Sequence, residues 1–154
     1  VIIAHVKDGI ELARRYRLPR RVRAFIPEHH GTSWVSFLYH KAVQLAGDAS
    51  LVDPAGFHHQ GPKPQSRETA LVMLSDGCEA TVRSVRPGSA EEVAEIVNRI
   101  IDQRVDEAQF SECNLTLRDL DVIRETFVSV LKGVFHPRIK YPSSSKVADS
   151  ESES

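Results

Sequence analysis

Ser89 stands three residues ahead of Glu92, and both precede a stripe of Val93, Ile96, Val97, Ile100 and Ile101. A serine followed at this distance by a glutamate is a capping box. The hydroxyl takes a backbone N–H of the first turn, and the carboxylate reaches back to the cap. The apolar residues recur at intervals of three and four, the period of a helix that buries one face. This segment can fold only as a helix against other apolar surface, and its neighbours carry the same period.

Ile2, Ile3, Val6, Ile10 and Ala13 predict a first helix ending near Tyr16, and Pro19 suits the first turn of a second, through Val22, Phe25 and Ile26. Pro27 kinks or ends that helix. Ser33 is the expected cap of a third, carrying Val35, Leu38, Ala42 and Leu45 and stopping near Gly47. Residues 48–65 hold Pro54, Gly56, Gly61, Pro62 and Pro64 and read as a long loop. Ser66 and Thr69 open a fourth helix bearing Ala70, Met73 and Leu74 and running to about Val85, after which Pro87-Gly88 makes a turn into the Ser89 helix. Thr116 and Asp119 form a weaker box for a sixth helix with Leu120, Ile123, Phe127, Val130 and Leu131. No segment alternates as a half-buried strand would, and no internal repeat is visible. The expected fold class is all-α.

The chain has 154 residues, enough for one domain with a core, and a formal net charge of -1. That balance excludes the broad basic field that non-specific binding to a nucleic-acid polymer requires. No apolar run approaches the roughly 20 residues of a membrane-spanning helix. Cys78 and Cys113 show no metal-type spacing, and a reduced compartment is their simplest reading. Val-Ile-Ile-Ala enters a helical pattern with no cap ahead of it, so the expectation is a C-terminal piece of a longer protein. The terminal SSSKVADSESES is polar throughout, and residues 143–154 are expected to form a disordered tail.

Four residues suggest chemistry. His5, the pair His29-His30 and Asp76 each fall on an expected helix or helix end. Imidazole nitrogens and a carboxylate are a ligand set for a transition metal such as Zn, Fe or Mn. Each also has an ordinary reading: a core or surface histidine, a doublet in a surface turn, a helix-surface aspartate. Periodicity does not decide whether they converge.

The segments HVKDGIELARRY, IPEHHGTS, FLYHKA, GPKPQSRETALVMLSDGCEATVRS, ECNLTLRDL and FHPRIKYP resemble the HD-domain phosphohydrolases. They are most similar to the cytoplasmic HD domain of the seven-transmembrane HD family, which degrades cyclic di-AMP. The likeness runs from His5 to Pro142, and YHKA and GPKPQ are its most specific parts. It implies an HD-domain helical bundle, truncated at its N-terminus, over residues 1–142. It also implies a metal shell in which His5 is the later histidine, His29 and His30 the doublet and Asp76 the final aspartate. The first histidine and the His-Asp pair that names the domain have no counterpart and would lie upstream of Val1. The loop reads FHHQGPKPQ where family members more often carry an aromatic residue and a proline, so His58 and His59 are expected to be loop residues rather than ligands.

The activity implied is hydrolysis of a cyclic dinucleotide to the linear one by metal-bound hydroxide attack on phosphorus, with two divalent cations, Mn or Fe. The chain by itself would be weakly active or inactive. The parent protein would be anchored in a bacterial plasma membrane with this part in the cytoplasm. The other function class is a degenerate HD module that binds nucleotide or a partner without turnover. Lys63 in the proline-stiffened GPKPQ loop, His40 after the doublet and Arg83 two turns beyond Asp76 could hold the substrate, and each has a solvated surface role as its ordinary reading. Lys7 and Asp8 read most simply as a helix-face ion pair.

Overall fold

The computed structural model describes residues 4–134. The proposed tail and the apolar pair Ile2-Ile3 lie outside them. Six helices follow in order: α1 (Ala4–Arg15), α2 (Arg20–Glu28), α3 (Ser36–Ala46), α4 (Arg67–Val85), α5 (Ala90–Asp106) and α6 (Leu117–Val134). Two 3-10 turns, Ala49–Leu51 and Pro54–Phe57, interrupt the long loop. The all-α expectation holds.

The core is the seam of α4, α5 and α6. Leu74, Cys78 and Val82 from α4 meet Val93, Ile96, Val97, Ile100 and Ile101 from α5, with Leu120 and Leu131 from α6. Burying one such side chain contributes about 1.5–3 kcal/mol, so this stripe dominates the favourable packing. The caps are those the sequence announces. Ser66 and Thr69 bond reciprocally at the start of α4, and Thr116 and Asp119 do the same before α6. At α5 only half of the box forms. Ser89 accepts the Glu92 N–H, but the Glu92 carboxylate turns to the Gly88 N–H at 2.7 Å.

Ser33 does not cap α3. The helix starts at Ser36 with Val35 at its cap position. Residues 33–35 instead run antiparallel to 57–59: Val35 N–H donates to the Phe57 carbonyl at 2.7 Å and His59 N–H to the Ser33 carbonyl at 3.0 Å. This bridge, centred on Trp34 and His58, holds the chain extended exactly where a cap would have to turn it. Among the described elements α3 approaches the two 3-10 turns and no other helix. The long loop therefore folds back to meet the end of α2, and α1 and α2 pack together with α2 also against α4.

Candidate metal centre

Pro27 lies in the last turn of α2, and His29 is its C-cap residue. Gly31 then adopts a left-handed φ of +53° and reverses the chain. The doublet thus stands at a helix end, facing His5 in the first turn of α1. The His5 and His29 Nε2 atoms are 3.5 Å apart, and those of His5 and His30 are 3.1 Å apart. All three histidines offer a ligand atom within 4.8 Å of the others.

The tautomer of His29 follows from its partners. Its Nδ1 donates to the Phe25 carbonyl at 3.0 Å and the Ile26 carbonyl at 2.8 Å. Carbonyls only accept, so Nδ1 carries the proton and Nε2 offers its lone pair to the other rings. Burial, followed by the fields of His29, His59, His5 and Arg104, pushes the His30 imidazole down to about 3. A neutral imidazole is the form that ligates metal. Three imidazole nitrogens meeting at one point are a donor set that a transition-metal cation fits.

Asp76 stands apart. Its side chain is exposed on α4, and its carboxylate is not among the groups that meet within 4.8 Å. Of the substrate candidates, Lys63 donates to Ser111 Oγ at 3.2 Å. His40 is exposed on α3 and turns its Nδ1 to the Ser36 carbonyl at 2.8 Å. Arg83 pairs with Glu79 at 3.3 Å on the exposed face of α4. None of the three lines the cleft beside the histidines.

That cleft, of about 600 Å³, opens between α1 and the loop. Val6, Ile10, Pro27 and Pro62 give it apolar walls, with Lys7, His30, His59 and Gln60 supplying polar groups. Lys7 therefore faces a cavity where the sequence suggested only a surface ion pair. His59 is a loop residue outside the group of three histidines. It is buried, and its ring stacks on His30 with centroids 4.2 Å apart and planes 18° apart. Burial, then the fields of His5 and His29, lowers its pKa as well. His58 remains an exposed loop residue, with Nδ1 on the Thr32 carbonyl at 3.1 Å.

The seat of the doublet is braced from several sides. Glu28, only 6% exposed, accepts the Gln65 N–H at 2.9 Å and the Thr69 hydroxyl at 2.6 Å through one oxygen. Gly61 crosses so close to the end of α2 that a Cβ there would lie 2.1 Å from the Pro27 carbonyl oxygen. Neither Glu28 nor His59 carries a sequence signal of its position, since each depends on where the returning loop lands.

No family model matches the chain. Two solved structures do. The HD domain of the phosphodiesterase PgpH of L. monocytogenes superposes with a TM-score of 0.79 at 34% identity, over 88% of this chain and 62% of that one. The same domain in complex with cyclic-di-AMP gives 0.80 at 36%, over 91% and 64%. The fold is that of an HD domain. Two curated proteins are similar to it in sequence. The cyclic-di-AMP phosphodiesterase PgpH of Bacillus subtilis is 40% identical over 95% of this chain. Its counterpart in Listeria monocytogenes is 36% identical over 92%. The chain spans 20% and 19% of the length of these two relatives. The helical bundle is thus that of an HD domain.

Proposed function

We propose that the chain, over residues 1–142, belongs to an HD domain that hydrolyses a cyclic dinucleotide, cyclic di-AMP, to the linear product. The observation that carries this reading is the meeting of His5, His29 and His30 beside a cleft of about 600 Å³. The likeness to PgpH supports the substrate. The three histidines would hold one divalent cation, Mn or Fe. Asp76, outside their group, would serve a second. Such cations lower the pKa of a coordinated water and offset the charge that develops on the phosphate oxygens.

The chain's own residues do the rest. The two carbonyls at His29 Nδ1 fix that ring so that only Nε2 is offered. His59 covers one face of His30. Val6, Ile10, Pro27 and Pro62 form a dry wall suited to the flat face of a nucleobase. Lys7, on the same cleft, supplies a cation for a phosphate oxygen. No described helix is long and apolar enough to cross a membrane. Attachment of this domain to a membrane protein, on its cytoplasmic side, follows the resemblance to PgpH and is part of the same proposal.

The test is turnover by the whole domain with Mn or Fe. His29→Ala and Asp76→Ala should each remove hydrolysis of cyclic di-AMP while circular dichroism keeps its helical signal. Unchanged turnover after both substitutions overturns the proposal. Retained nucleotide binding with no turnover by the unaltered domain would assign a binding role instead.

A further inference from the structure

We propose that Gln109, from the connection between α5 and α6, is a positioning residue for the His29-His30 pair. The inference rests on the metal reading above and adds to it a residue that neither the ligand set nor the resemblance contains.

Gln109 is 1% exposed. It follows Ala108, whose φ of +50° turns the chain at the end of α5, and its own N–H donates to the Arg104 carbonyl at 3.0 Å. The side chain then reaches across to the segment after the doublet. Its Oε1 accepts the Thr32 backbone N–H at 3.0 Å and lies 3.4 Å from the Thr32 hydroxyl, while its Nε2 donates to that hydroxyl at 3.1 Å. Both ends of the amide are therefore spent on one residue, two positions beyond His30.

Gly31 fills the space between. A Cβ at Gly31 would stand 2.4 Å from Gln109 Oε1 and 2.7 Å from Met73 Cε, on a backbone already at φ +53°. The turn that carries His30 is thereby pressed against Gln109 and α4. A buried primary amide is costly unless paired, and an apolar side chain of similar length would fill the same volume without that cost. What the amide adds is direction. It fixes the Thr32 N–H, and through the tight turn at Gly31 the place of the His30 ring. Partners hydrogen-bonded directly to metal ligands change metal affinity by about 10–100-fold when removed, and that is the scale expected for a brace acting on them through the turn.

The probe is cobalt(II), titrated into the full metal-free chain and followed by its visible absorption. Gln109→Met keeps the length and volume and removes the polar ends. It should weaken cobalt binding by about 10–100-fold and alter the band. Thr32→Ser keeps both partner atoms and should bind as the parent does. Val97→Ala lowers stability within the α4–α5–α6 core and should leave cobalt affinity unchanged, which separates orientation from general loosening. Parent-like binding by Gln109→Met, or a loss no greater than that of Val97→Ala, overturns the positioning role. Absence of cobalt binding by the parent, or binding that survives His30→Ala, overturns the metal reading and the positioning role with it.

Discussion

Glu28 joins two parts of the chain 37 to 41 residues apart, by one oxygen that accepts the Gln65 N–H and the Thr69 hydroxyl. It immediately precedes the doublet, so it links the histidines to the start of α4. Glu28→Ala would remove the acceptor of the Gln65 N–H, leave the Thr69 hydroxyl the longer bond to the Ser66 carbonyl at 3.2 Å, and empty a place that is 6% exposed at Glu28. Hydrogen bonds to a charged group contribute about 1.5–3 kcal/mol each, and two that share one oxygen are not independent, so the expected loss is about 3 kcal/mol. At this chain length that corresponds to a fall in Tm of about 6–12 °C. Glu28→Gln keeps an acceptor oxygen of the same reach and should recover about half of the loss. Urea unfolding of the metal-free chain, followed by circular dichroism, measures both. A loss below about 0.5 kcal/mol for Glu28→Ala, typical of an uninvolved surface site, would refute the bracing role. Equal losses for the two variants would refute the assignment of that role to the two hydrogen bonds.

Two further outcomes follow from other groups. Burial pushes the Cys78 thiol up to about 12, whereas Cys113 is half-buried, so at pH 8 a thiol reagent should label Cys113 in the native chain and reach Cys78 only on unfolding; prompt labelling of both in mass spectra of the native protein would contradict the buried core position. The N–H and hydroxyl of Thr116, with a smaller contribution from Arg67, hold Asp119 below its ordinary value of 3.8. A depressed carboxylate stabilises the fold above that ordinary value and loses its effect as pH falls through the lower folded one. The stability difference between the parent and Asp119→Asn should therefore shrink below pH 3.8, and a difference independent of pH in acid unfolding curves would exclude this linkage.

The helices of the core were legible because their signals are local. Ser66 with Thr69, Ser89 with Glu92 and Thr116 with Asp119 each act within one turn, and the α5 stripe turns the same face inward for its whole length. Reading failed where long-range pairing overrode local preference. Ser33 has the chemistry of a cap, but the Trp34–His58 bridge draws it into an extended segment and α3 starts three residues later. The apolar stripe of α1 behaved differently again: only Ala13 is buried, while Val6 and Ile10 line the cleft. A helical period reports that one face is apolar, not whether that face meets a core or a cavity.

The same distinction governs the site. The resemblance picks out His5, His29 and His30 by residue type, and the fold brings those three together. It gives no hint of Gln109, His59 or Lys7, because their roles come from the returning loop, the α5–α6 turn and the open face of α1 rather than from any motif. The substrate candidates named from the sequence do not line the cleft, for a related reason. Lys63 sits in the specific GPKPQ loop, yet its charge turns to Ser111, and Arg83 lies on the metal-candidate helix but two turns along, where Glu79 takes it. A cation's direction is set by whichever partner it can reach, and near the histidines the cation that the fold leaves facing the cleft is Lys7. The order of a motif therefore identifies the atoms that can ligate, while the braces that orient them and the charges that face them are properties of the folded chain.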